Sequence, residues 1–184
     1  MTTLLGIVGK LPPQLVVSRA RLQLLLAWAN ILLQRPAPTY AALDRFETAV
    51  ERVDLSDAAR ADLRAEANVA RSIAEIFGDR AETVDALVSE ALSRPDTLHP
   101  RVAGVAANIA AAAAIYRFDY DTARQYLEWA APYYEMMGPF AAIYARCNAG
   151  IVAKYQLAIP AAMKEFRHAY QLAARPGRTL TVCA

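Results

Sequence analysis

A short motif recurs four times in this chain, and it restricts the fold more than any other feature. A small residue is followed four positions on by an apolar one, and three after that by alanine. The instances are Ala42, Phe46, Ala49; Val84, Val88, Ala91; Ala123, Leu127, Ala130; and Ala162, Phe166, Ala169. Their first positions lie 42, 39 and 39 residues apart. Spacing of i, i+4, i+7 puts three side chains on one helix face. The small residues let a partner helix approach closely, and the larger one fills the gap between. An alanine-rich helix produces one such triplet by chance. Four at a near-constant period point to stacked helical hairpins and away from a non-repetitive bundle.

Prolines divide the chain in the same rhythm. Pro12, Pro13, Pro36, Pro38, Pro95, Pro100, Pro139, Pro160 and Pro176 fall between apolar-periodic segments, where helices start or stop. Pro132 sits inside a segment and should kink or end its helix. The pattern predicts helices near 18–34, 39–53, 56–77, 80–93, 100–117, 121–136, 139–156 and 160–174. Composition agrees, with 40 alanines, 20 leucines and only 7 glycines among 184 residues. Alanine is the best helix former, so the expected fold class is all-α.

The links between the paired helices carry their own pattern. Gly78-Asp79-Arg80 and Phe118-Asp119-Tyr120-Asp121-Thr122-Ala123 stand just upstream of second helices. The latter resembles the tetratricopeptide turn, glycine-aspartate-tyrosine-x-x-alanine, with Phe118 in the glycine's place. A period near 40 exceeds the 34 of tetratricopeptide repeats and approaches that of HEAT repeats. The turn and the alanine positions favour the tetratricopeptide type with longer helices. The expected architecture is an α-α superhelix of about four such hairpins. A lead-in with a short helix spans 1–17. The repeats lie at about 18–53, 56–93, 100–137 and 139–174 within a domain over 18–175, and a tail follows at 176–184.

Several function classes are disfavoured. Charge is nearly balanced, with 20 Lys+Arg against 18 Asp+Glu, so there is no whole-domain basic footprint for nucleic acid. The longest apolar stretches, Leu22 to Gln34 and Val102 to Tyr116, have 13 and 15 residues, short of the roughly 20 a membrane span needs. Met1 to Lys10 lacks the basic segment and long apolar run of a signal peptide. Cys147 and Cys183 form no metal spacing and no disulfide framework, which suggests reduced thiols and a cytoplasmic protein. Gly6-Ile7-Val8-Gly9-Lys10-Leu11 contains Gly-Lys, but Leu4 and Leu11 occupy the glycine and hydroxyl positions of a phosphate loop, so no nucleotide site is expected. His99, before Pro100, and His168 stand apart from metal spacings and nucleophile arrangements. Neither catalysis, cofactor nor metal is expected.

The opening segment carries a family resemblance. It reads Leu11-Pro12-Pro13-Gln14-Leu15-Val16-Val17-Ser18-Arg19-Ala20-Arg21-Leu22, then Ala27-Trp28-Ala29, then Leu32-Leu33-Gln34-Arg35-Pro36. This resembles the start of the MalT-like helical repeat region in the large ATP-dependent LuxR-family bacterial transcription regulators. Ala20 stands where that family usually has proline, and Gln34 where it usually has glycine. Phe118 and Leu157 replace turn glycines in the same way. The resemblance covers about residues 11 to 175. It implies a signal-receiving and protein-interaction module that takes up an inducer or partner in a concave groove. It also implies an ATPase domain and a DNA-binding helix-turn-helix elsewhere in a longer parent chain. A free-standing adaptor that holds a peptide or partner protein is the alternative. The helix from Leu22 to Leu33 is apolar around most of its circumference, whereas a terminal repeat should have a polar outer face. The chain is therefore expected to be a piece of a longer stack, with homodimerisation as one way to cover its ends.

Candidate binding residues follow from the repeat. The four asparagines, Asn30, Asn68, Asn108 and Asn148, all fall on first helices, 38, 40 and 40 residues apart. Two roles fit. A ladder of amides can bond the backbone of an extended peptide, as in repeats of the kinesin light chain type, or it can pin one helix to the next. Arg71, Arg101, Tyr116, Tyr144 and Arg146 share those helices and could face a groove, since arginine and tyrosine dominate recognition sites. Core packing is the competing role for the two tyrosines, and solvation for the arginines. Tyr126, Trp129, Tyr133 and Tyr134 cluster around Pro132 and read as inter-repeat core, as does Trp28.

Overall fold

A computed structural model describes residues 2–134, 136 and 138–174. Among them the chain is all-α, with ten α-helices, two 3-10 turns and no strand. It separates into two compact units, Met1–Ala91 and Leu92–Ala184.

In the first unit, α1 (Thr2–Val8) and α2 (Pro13–Val17) rest against α3 (Ala20–Leu32). The hairpin partner of α3 is α4 (Pro36–Val50), and α5 (Asp57–Phe77) packs on both. A 3-10 turn, Ala81–Thr83, then leads into α6 (Val84–Ser93), and the division between the units falls near the end of that helix. In the second unit α7 (Pro100–Tyr116) pairs with α8 (Tyr120–Ala130), and α9 (Pro139–Tyr155) pairs with α10 (Ile159–Ala173). Here α9 also packs against both helices of the preceding hairpin.

The prolines explain the helix boundaries. Pro36, Pro100 and Pro139 are first helical residues, where the missing N–H costs nothing and the fixed φ already suits a helix. For the same reason α4 starts at Pro36, and not at residue 39 as expected; both Pro36 and Pro38 fit within its first turn. Pro132 acts in the opposite sense. The helix expected to reach residue 136 stops as α8 at Ala130, and Ala131–Tyr133 tightens into a 3-10 turn. Ser56 caps α5 by accepting from the Ala59 N–H, and Asp119 caps α8 by accepting from Thr122 at 3.1 Å.

The recurrent motif marks the packed faces. Eleven of its twelve residues are at least 95% buried. Phe166 is the exception at 38% exposed. A Cβ on Gly150 would lie only 2.6 Å from the Phe166 ring, so the glycine makes room for that ring on α9. The long apolar helix α3 is buried on most sides, yet Leu25 remains half exposed.

The turns that end α3, α5, α7 and α9 share one geometry. Gln34, Asp79, Phe118 and Leu157 have φ of 53°, 57°, 61° and 60°, in the left-handed region. Around each, the next residue's N–H bonds back five positions: Arg35 to Asn30, Arg80 to Glu75, Asp119 to Ala114, and Ala158 to Ala153. The left-handed residue itself bonds back three, as in Gln34 to Ile31 and Phe118 to Ile115. This paired pattern is the Schellman motif, which satisfies the last carbonyls of a helix. The turn geometry is thus kept where glycine is absent, at the steric cost of a side chain in the left-handed region.

Candidate functional site

The first helices carry the residues that sequence spacing singled out, and most of their polar groups bond within the fold. In the second unit the Asn148 amide donates to the Asn108 carbonyl oxygen at 3.0 Å, joining α9 to α7. Asn108 is 3% exposed. In the first unit the Asn30 amide donates to Leu26 O of its own helix at 2.8 Å, and Asn30 is 7% exposed. Both of these asparagines are buried in the fold, as the inter-helix role of the ladder requires. Asn68 and Asn148 are half-buried.

The arginines and tyrosines divide. Arg71 pairs with Asp44 at 3.5 Å. Arg146 pairs with Glu165 on α10 at 3.0 Å and lies over the Tyr134 ring, 5.1 Å from its centroid. The guanidinium therefore ties α9 to α10 and to the turn after α8. Burial raises the Tyr134 phenol above its ordinary value, and its hydroxyl donates to Leu127 O at 2.8 Å. Tyr144 is half-buried and its ring leans on Phe140 at 4.9 Å. Arg101 is half-buried in the first turn of α7, where His99 accepts from its N–H at 3.2 Å. Tyr116 stands at the end of α7, 52% exposed, and is the most accessible of the candidates. Trp28 is buried, as expected, and its indole N–H donates to Glu66 at 2.9 Å. The cluster around Pro132 is less buried than expected. Trp129 and Tyr133 meet at 5.2 Å, but the Trp129 ring keeps a water-facing side.

Two features lay beyond sequence spacing. Tyr40 on α4 donates to Glu75 on α5 at 3.0 Å, and Arg80 bonds both the Glu75 carboxylate and the Tyr40 hydroxyl. Burial alone would raise the Glu75 carboxyl, but hydrogen bonds from Arg80 and Tyr40 outweigh it and hold the group below its ordinary value. In the second unit Tyr120 stacks on Tyr155 at 4.8 Å, and Gln156 donates to Asp121 at 3.2 Å. Both features link neighbouring helices side by side. No periodicity in the chain announces which long side chain will reach which.

What the arrangement offers chemically is surface. A small open cleft of about 300 Å³ lies in the first unit against the Gln34 turn, lined by Ile31, Gln34, Arg35, Pro36, Thr39, Ala74 and Phe77. That is the low end of the range for ligand pockets. Among the described residues no group of three His, Cys, Asp or Glu could hold a metal ion. Also among them, no helix is long and apolar enough to cross a membrane. The thiol of Cys147 is half-buried beside Ile143, Ala169 and Ala173. Cys183 and the tail at 176–184 lie outside the described residues.

The chain is similar to part of a mycobacterial kinase. Proteins named serine/threonine-protein kinase PknK from Mycobacterium tuberculosis strain H37Rv and from Mycobacterium bovis are each 59% identical to it over 177 residues. The matched region is 96% of this chain but 16% of each relative. The chain thus spans about a sixth of the length of the curated relatives it matches. No family model matches the sequence. No solved structure matches it either.

Proposed function

We propose that this chain is a non-catalytic, tetratricopeptide-like module of a larger cytoplasmic signalling protein. It receives a signal as a protein, peptide or small inducer and passes it on by changing how neighbouring domains dock. The observation that carries this reading is the repeat itself: four turns of one geometry recur, and three of them join packed helix pairs. Such pairs present broad rigid surfaces suited to recognition. Within the second unit, exposed Tyr116 and half-buried Tyr144 supply aromatic area for a partner.

Two parent proteins fit. The opening segment resembles that of MalT-like regulators, in which case an ATPase and a helix-turn-helix would accompany the module. The 59% identity to a segment of proteins named as serine/threonine kinases favours a kinase catalytic domain in the same polypeptide. In either case the module regulates chemistry or DNA binding done elsewhere in the parent. The test compares the intact parent with a version lacking residues 18–175, measuring ATP-dependent phosphorylation and DNA binding in both. A change in either output supports the module's regulatory role. Unchanged outputs under every inducing condition would refute it.

A further inference from the structure

The cleft of the first unit lies where α3 turns into α4, against the end of α5. Part of its lining is apolar and deep: Ile31 and Ala74 are each 2% exposed. Phe77, the last residue of α5, lines it too and is 41% exposed. Exposed Gln34 and Arg35 make the lining polar at the turn. The backbone beneath the cation is fixed. The Arg35 N–H donates to Asn30 O at 2.9 Å, and Arg35 O accepts from the Thr39 N–H at 3.2 Å and from the Thr39 hydroxyl at 2.8 Å. Among the described residues no carboxylate pairs with Arg35, and none lines the cleft. Glu75, beside Ala74 in the sequence, is already held by Arg80 and Tyr40. The chain before Asp44 contains Lys10, Arg19, Arg21 and Arg35 and no acid at all. Gln34 adds an independent sign. Its φ of 53° lies in the left-handed region, where a side chain is kept only at a steric cost. Strain of that kind gathers at ligand clamps, and here the strained residue lines the cleft.

We infer that this cleft binds a small organic acid, a free carboxylate carried on a compact apolar body. Arg35 takes the carboxylate on its paired N–H donors, and the Gln34 amide donates a further hydrogen bond. The body, aryl or branched alkyl, covers Ile31, Ala74 and Phe77. Inorganic phosphate would use the cation and leave the apolar lining wet. A hydrocarbon would leave the cation unused. An apolar lining with one charged anchor is the common form of a small-molecule site, and about 300 Å³ admits a molecule of this size but no folded partner. The inference names the chemical class of the inducer and rests on the signal-receiving reading. Binding is measured on this chain alone, so its failure leaves the deletion test of the parent standing.

The test is proton–nitrogen correlation spectroscopy of the 184-residue chain, titrated with phenylacetate and with isovalerate. At least one acid is expected to shift the amide signals of Gln34, Arg35 and Phe77 saturably, with a Kd below roughly 1 mM. Phenylacetamide and isovaleramide keep the body and lose the charge, and should bind at least about tenfold more weakly. Acetate keeps the charge and loses the body, and should also bind at least about tenfold more weakly. Arg35→Gln keeps the backbone bonds of the turn and should weaken the acid about tenfold or more. Gln34→Gly relieves the left-handed strain, so its urea midpoint should hold or rise while binding weakens roughly three- to tenfold. Equal binding of acid and amide, which needs no variant, would overturn the proposal. So would full affinity in Arg35→Gln, or no saturable shift at this turn with either acid up to about 10 mM.

Discussion

The left-handed turns make a quantitative prediction, because two of them hold bulky, mostly exposed residues. Phe118 and Leu157 have φ of 61° and 60°. They are 75% and 83% exposed, so little burial is lost on removing the side chain. A non-glycine residue pays roughly 1–2 kcal/mol for this region. Glycine avoids that cost but returns about 0.5–1 kcal/mol as added freedom in the unfolded chain. The difference leaves a net gain of about 0.5–1 kcal/mol for Phe118→Gly or Leu157→Gly. The two turns close separate hairpins, so the double variant should gain about 1–2 kcal/mol. With a urea slope of roughly 2 kcal/mol/M, each single change moves the midpoint of the second unit up by about 0.3–0.5 M. Equilibrium urea unfolding, followed by circular dichroism and by tryptophan fluorescence, reads the shift. A midpoint that falls on either change, as it would for glycine inside an ordinary helix, would refute the Schellman assignment at that turn.

Other perturbations follow from single contacts. Asn108→Ala removes the buried acceptor of the Asn148 amide and should cost about 1–2 kcal/mol; a double-mutant cycle with Asn148→Ala should show a coupling of at least roughly 0.5 kcal/mol, and additive losses would contradict the amide rung. Gly138 has φ 83° and ψ 163°, a region closed to side chains, so Gly138→Ala should cost about 1–3 kcal/mol although open space surrounds the position. The depressed Glu75 carboxyl contributes stability that is present above its ordinary value of 4.5 and is lost as pH falls through its lower folded value. Acid unfolding of the first unit should therefore lose part of its pH dependence in Glu75→Gln, and an unchanged profile would remove Glu75 from the account.

Much of this fold is legible in the sequence because helices obey local rules. Ala42, Phe46 and Ala49, and their counterparts in the next two hairpins, declare a buried face by spacing alone, and the structure buries them. Proline positions mark helix starts because the ring suits only the first turn, and Pro132 breaks α8 where an unbroken helix would otherwise run. Phe118 and Leu157 were legible as the wrong residue types for a turn, but not as residues held in that turn regardless. The tight backbone bonds from Asp119 to Ala114 and from Ala158 to Ala153 decide that, and they leave no side-chain signature. The candidate site was less legible. The even spacing of the asparagines correctly places them on first helices, yet spacing cannot tell a rung from a ligand contact. That depends on which helix packs over Asn108 and Asn30. The Tyr40, Glu75 and Arg80 network and the stack of Tyr120 on Tyr155 depend on the reach of long side chains between helices, which no period encodes.

The central claim is that four helices end in one turn geometry, three of them at positions where the resembling family has glycine. Backbone assignment by nuclear magnetic resonance, with carbon chemical shifts and HN–Hα couplings at Gln34, Asp79, Phe118 and Leu157, tests it directly. The account predicts positive φ at all four, flanked by helical shifts on both sides. A negative φ at any one of them would break the repeat at that hairpin and contradict the claim.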